Sequence, residues 1–236
     1  YLLQCLTLLK MKKALLINHH RPFDSGLVSK VLFESHFLIS TINSNDVKLL
    51  NLSDIKNYNL VIFFGGNASA NDRSLSIKSE FNLIEILAKY QIPTIGICLG
   101  AQLIAKFYGS KIIFNDDKKS EIGYREIINP DLNTFKKNNA TFMQFHNQGI
   151  CQNKFMNVLG FGRSFEVDAF KIKKMPFYGL QFHPEVDGPT ILRWYSTNSE
   201  LISKYKDSLK KSLINYKKFS PENYIWLKSF LLRALK

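Results

Sequence analysis

Gly96-Ile97-Cys98-Leu99-Gly100-Ala101-Gln102 is the stretch that decides the fold. It follows the apolar run Pro93-Thr94-Ile95 and leads into Leu103-Ile104-Ala105, so it reads as a strand, a tight turn carrying Cys98, and a helix. A corner that lifts a side chain above the end of a strand needs unusual backbone angles and close approach of neighbouring chain, which glycines permit. A thiol at a helix start also faces unpaired backbone N–H groups and the positive end of the helix dipole, which favour the thiolate. Alone, a cysteine in such a unit is more often a core residue. The flanking glycines and the partners below argue for a nucleophile.

A thiolate nucleophile works with a base, and the base with an orienting group, both distant in sequence. Gly179-Leu180-Gln181-Phe182-His183-Pro184-Glu185 supplies them. Phe177 to Phe182 reads as a buried strand, so His183 emerges at its end. Residues two apart in extended chain share a side, so Glu185 reaches back to the imidazole, and Pro184 stiffens the link.

Together the 96–102 and 180–185 segments resemble the class I glutamine amidotransferase family. Leu60-Val61-Ile62-Phe63-Phe64-Gly65-Gly66-Asn67-Ala68-Ser69-Ala70-Asn71-Asp72 is similar to the family's strand and Gly-Gly loop, and its ending resembles free-standing, GMP synthase-like members. The likeness covers roughly residues 12 to 200. It implies hydrolysis of the glutamine side-chain amide through a thioester, with release of ammonia and no cofactor or metal. Cys98 would be the nucleophile, His183 the base and Glu185 its partner. Backbone N–H groups of Gly66 and Leu99 would form an oxyanion hole, each such donor being worth about 2.7–4 kcal/mol in the transition state. Gln102 would contact the substrate glutamine. Phe142 to Gly149 aligns with a family loop in which a histidine is followed by residues whose backbone grips the amino-acid end, which points to Asn147 and Gln148. Here Asn-Gln stands where related members carry Gly-Asp, and Asn67 stands where proline is common. His146 receives no chemical role.

The rest of the chain fits an α/β domain: a flavodoxin-like, mainly parallel central sheet with helices on both faces, some antiparallel strands and a helical C-terminal tail. Strand-like runs at Ala14–Ile17, Phe37–Ile42, Leu60–Phe64 and Thr94–Ile97 alternate with helical patterns at Leu27–Phe33 and Ile77–Tyr90. After Gly109, runs at Lys111–Phe114, Gly123–Ile128, Leu159–Phe165 and Asp168–Ile172 suggest the antiparallel additions. With 236 residues, 45% of them hydrophobic, the chain can bury a full core. Its organisation reads as an N-terminal extension at 1–10, the main domain at 11–200 and a basic helical extension at 201–236 packed on it. Tyr1 to Lys10 is too short for a membrane span, and Met11 reads as a natural start.

Three cysteines, Cys5, Cys98 and Cys151, make no closed disulfide framework, which suits the cytoplasm. Neither they nor the five histidines show metal-ligand spacing, and His19-His20 reads as a loop at the sheet's edge. Thirty-two basic against 19 acidic residues invite a nucleic-acid hypothesis, and nine basic against two acidic residues fall between Ser203 and Lys236. In that tail Tyr205, Leu209, Leu213 and Tyr216 recur at helical spacing, as do Tyr224, Leu227 and Leu231. Amphipathic helices with solvated basic faces are therefore expected, not a nucleic-acid site. No phosphate-binding glycine loop marks an attached ATP-using synthetase, so any ammonia-accepting synthetase would be a separate protein, or the chain a stand-alone hydrolase. Two alternatives stay open: a hydrolase of other γ-glutamyl amides, and a non-catalytic module that uses its basic tail.

Overall fold

The computed structural model describes residues 11–20, 23–114, 120–198 and 209–235. Expectations for Tyr1 to Lys10 and for Tyr205 lie outside them. Strands β1 (Lys12–Asn18), β2 (Phe37–Asn43), β3 (Leu60–Phe63), β4 (Thr94–Ile97) and β11 (Phe177–Leu180) run parallel, and β10 (Ala169–Ile172) and β9 (Met156–Gly160) extend the sheet antiparallel. The strand order is β2-β1-β3-β4-β11-β10-β9. The chain moves from β1 outward to β2 and then crosses to β3 on the other side. That reversal is the place where open α/β sheets form a crevice at their carboxyl ends.

Alternation along β1 assigns each face of the sheet. Ala14 and Leu16 pack with Val28, Val31 and Leu32 of helix α1 (Gly26–Glu34), whereas Leu15 and Ile17 pack with the opposite layer. That layer is α2 (Leu75–Lys89), with buried Ile77, Leu83, Ile84 and Leu87, and α3 (Leu99–Phe107). Ser74 caps α2 by accepting from the Ile77 N–H at 3.3 Å. Helix α4 (Gly188–Thr197) has Pro189 in its first turn and Asp187 as cap, Oδ1 accepting from Thr190 N–H at 2.9 Å.

The final helix, α5 (Leu209–Ala234), is one element of 26 residues rather than several, and it carries Pro221 within it. Lys210, Lys211, Lys217 and Lys218 are exposed, as their spacing suggested. Its other face enters the core. Trp226, Leu227, Phe230 and Leu231 are buried in the same cluster as α1 and the sheet.

Two short antiparallel ladders lie beside the sheet: β5 (Ile112–Phe114) with β8 (Gln148–Ile150), and β6 (Glu121–Glu126) with β7 (Thr141–His146). The segment aligned with a substrate-gripping loop is thus mostly strand, turning at Asn147. The strand expected at Leu159–Phe165 lies earlier, at Met156–Gly160. Beyond it Gly162 packs close to the residue before β10, since a Cβ on it would fall 2.6 Å from Asp168 Oδ1. Among the described residues no helix is long and apolar enough to cross a membrane.

Candidate functional site

Cys98 stands between β4 and α3 at φ 52°, ψ −108°, a left-handed conformation that costs a side-chain-bearing residue about 1–3 kcal/mol. The fold holds it there from both sides: Cys98 N–H donates to Leu180 O at 2.8 Å, and Cys98 O accepts the first α3 bond from Gln102 N–H at 3.0 Å. Gly100 makes the corner possible. A Cβ on it would lie 2.2 Å from Phe63 O, so any side chain would push α3 off β3.

His183 leaves the end of β11 and is fixed by its N–H donating to Met143 O at 2.8 Å. Its Nδ1 lies 2.7 Å from Glu185 Oε1, both side chains being buried, and its Nε2 has no hydrogen-bond partner. Gly65, just past β3, reports how base and thiol converge. A Cβ there would sit 2.9 Å from His183 Cε1, 3.3 Å from Cys98 Cβ and 3.7 Å from Cys98 Sγ. Only a residue without a side chain leaves that spot open. Burial alone would lower the His183 pKa, but the Glu185 carboxylate and then Cys98 outweigh it, and it rises to about 10. The imidazolium is therefore the form at neutral pH. Trp194 of α4 meets the ring edge-on, with centroids 4.7 Å apart.

These groups open on a cavity of about 280 Å³, whose wall also includes Gly66, His20, Asp24 and Arg193. His20, read from sequence as part of a peripheral loop, follows an interior strand and lines this wall. Burial chiefly lowers its pKa, so it is neutral. His19 turns the other way, with Nε2 2.9 Å from Glu80 Oε1 of α2 and Cβ 2.6 Å from where a Gly66 Cβ would stand. A buried pair thus backs the glycine loop. Leu99 occupies the first turn of α3, where backbone N–H groups have no acceptor within the helix.

The remaining sequence candidates lie elsewhere. Gln102 is buried and outside the cavity wall, its Nε2 donating to Gln148 O at 2.9 Å and Gln181 Oε1 at 3.2 Å. The Gln148 side chain accepts from Ser69 Oγ at 2.8 Å, and Asn147 is exposed on its turn. His146 continues this buried polar seam, with Nδ1 2.9 Å from Gln148 O and Nε2 3.0 Å from Gln144 Oε1. Burial and then the charge of His183 lower its pKa to about 3, so it stays neutral. Sequence reading missed Asp24, Arg193 and Trp194, which come from segments with no local signature. Helical periodicity after Asp187-Gly188-Pro189 could have placed the last two on one helix, but not on this cavity.

The family model described as glutamine amidotransferase class-I matches residues 28–191. The glutamine-hydrolysing GMP synthase subunit of Pyrococcus abyssi is 30% identical over 167 residues, 68% of this chain and 82% of that protein. The protein of the same name from Methanococcus aeolicus is 30% identical over 151 residues, 62% of this chain and 75% of its own length. Among solved structures, a glutamine amidotransferase from Thermotoga maritima superimposes with a TM-score of 0.85 at 26% identity, covering 95% of this chain and 98% of its own.

Proposed function

The chain belongs to the class-I glutamine amidotransferase family, and from that membership we propose that its glutamine hydrolysis runs through Cys98, His183 and Glu185. The observation that carries the assignment is the 2.7 Å His183–Glu185 contact, whose free Nε2 shares a cavity with a thiol raised on a left-handed corner. Cys98 attacks the side-chain amide carbon as thiolate, and the tetrahedral oxyanion is held by the backbone N–H groups of Gly66 and Leu99. The protonated His183 gives its proton to the departing nitrogen, so ammonia leaves and a glutamyl thioester remains. Neutral His183 then takes a proton from water, which attacks the thioester, and glutamate departs with the thiolate and the protonated His183 restored. Glu185 holds the ring's tautomer and offsets its charge throughout.

We further propose that the ammonia passes to a separate synthetase of the GMP synthase type. The relatives from Pyrococcus abyssi and Methanococcus aeolicus are named as glutamine-hydrolysing subunits of GMP synthase, which supports this division of labour. The cytoplasm is the fitting compartment, because a reducing environment keeps Cys98 and Cys151 as thiols.

Cys98→Ala tests the chemistry. Ammonia release from glutamine is expected to fall to background, a loss of at least about a thousandfold for a missing nucleophile, with circular dichroism and thermal midpoint retained. Persisting glutaminase activity in that variant would refute the assignment.

A further inference from the structure

An oxyanion hole works by being in place before the charge appears, so its donors must be held still. Leu99 is fixed by the first turn of α3, but Gly66 follows Gly65 in a loop, and two residues without side chains leave backbone freedom that something has to remove. The start of that loop is tied, since Phe64 N–H donates to Ile17 O at 3.0 Å near the end of β1. Two residues after Ile17, His19 fills the space behind Gly66. A Cβ on Gly66 would fall 2.6 Å from His19 Cβ, 2.8 Å from His19 Cγ and 3.1 Å from Leu99 Cδ2. The glycine is therefore wedged between the imidazole and the residue that carries the other donor. Gly65 beside it stands against the thiol itself, its Cβ position 3.7 Å from Cys98 Sγ.

His19 is in turn pinned from its far side. Its Nε2 lies 2.9 Å from Glu80 Oε1, the two side chains being 6% and 0% exposed. Glu80 belongs to the core face of α2, one turn from Ile77, Leu83 and Ile84, where a leucine would pack without the desolvation that an acidic group suffers. Neither His19 Nδ1 nor Glu80 Oε2 has another hydrogen-bond partner among the described residues, so the two side chains hold only each other. A costly group on a face that packing alone would make apolar calls for a use, and its contact leads to the glycine loop.

We propose that the His19–Glu80 pair is a positioning device for the oxyanion hole: it anchors the His19 ring against Gly66 and so fixes the Gly66 N–H beside that of Leu99. Both residues act through the Gly66 peptide and neither is a reacting group. The inference rests on the proposed glutamine hydrolysis and adds to it two residues from outside the triad.

The test uses the full chain in three variants: Glu80→Leu, the double variant His19→Leu with Glu80→Leu, and Glu80→Gln. In the first two, kcat for ammonia release from glutamine is expected to fall about ten- to a hundredfold, the scale of a donor displaced by a fraction of an ångström to an ångström. KM stays within about twofold, because the hole acts on the tetrahedral state and not on bound glutamine. Iodoacetamide alkylation of Cys98 keeps the parent's rate, since displacement of iodide at a saturated carbon forms no oxyanion. The thermal midpoint of the double variant matches or exceeds the parent's, as replacing a buried pair by apolar residues often does. Activity and stability thus part company, which a merely structural pair would not allow. Glu80→Gln still offers an oxygen to His19 Nε2 and recovers most of the rate. Parental kcat in the double variant, a loss carried by KM, alkylation that slows in step with kcat, or a Glu80→Gln variant as poor as Glu80→Leu overturns the inference. A parent chain that iodoacetamide alkylates but that releases no ammonia from glutamine overturns the hydrolysis reading beneath it.

Discussion

At the scale of single residues, the charge on His183 governs the site. Burial would strip its proton, while the Glu185 carboxylate and then Cys98 hold it on, to about 10. A folded-state pKa raised above the ordinary 6.5 contributes stability that is fully present below 6.5 and is lost as pH climbs through about 10. Glu185→Gln removes the largest raising influence and leaves only Cys98 to oppose burial, so the imidazole is expected to be neutral at pH 7. Without the neighbouring positive charge, Cys98 alkylation by iodoacetamide at pH 7 is expected to slow by about tenfold or more, the worth of about 1.4 kcal/mol of lost charge interaction. The alkaline loss of stability shrinks with it. A pH profile of alkylation identical to the parent's contradicts this account. Cys98, His183 and Glu185 were legible because each sits in a short motif, a glycine-flanked corner or a strand end, that states its own geometry. Asp24 and Arg193 were not, since only the packing of the loop before α1 against α4 brings them to the cavity.

Elements add a second set of buried ionisable groups, in the seam between the β6–β7 ladder and the start of β10. Gln144 Nε2 donates to Asp168 Oδ2 at 2.8 Å, and Glu121 is buried nearby. Burial, and next the charge of Glu121, raise the Asp168 pKa to about 8, against a lowering by the Gln144 hydrogen bond. Because the folded state holds this proton more tightly than the unfolded chain, Asp168 lowers stability as pH rises from about 4 toward 8. The slope reaches at most about 1.4 kcal/mol per pH unit for one proton. Asp168→Asn keeps the acceptor for Gln144 and cannot ionise, so urea unfolding at pH 5 and pH 8 is expected to differ less than in the parent. A slope unaltered by the substitution places the proton elsewhere. None of this seam was visible as a unit in the sequence. The parallel strands announced themselves by continuous apolar runs such as Ala14–Ile17, whereas Thr141–His146 interleaves Gln144 and His146 with aromatics and was read through its likeness to a loop.

For the whole molecule, the question is whether α5 is an appendage or a layer. Its periodicity was legible, and so were its solvated lysines, but which surface received the apolar face was not, because pairing between distant surfaces leaves no local mark. In the fold, Trp226 lies 5.5 Å from Phe135 and 4.8 Å from Phe142 between ring centroids, and its Nε1 donates to Thr134 O at 3.0 Å. Phe142 in turn stacks on Phe182 at 4.2 Å, and Phe182 is the residue before His183. The helix is thus two side chains from the proposed base, although the family match ends at residue 191. Trp226→Ala is expected to destabilise the chain by about 3–5 kcal/mol, the usual range for a buried tryptophan, and to reduce glutaminase activity by loosening Phe182. Ending the chain at residue 208 uncovers the whole aromatic cluster, so cooperative urea unfolding is expected to vanish with it. A truncated chain that unfolds at the parent's midpoint and still releases ammonia from glutamine makes α5 an appendage, and assigns the support of His183 to β7 and α4 alone.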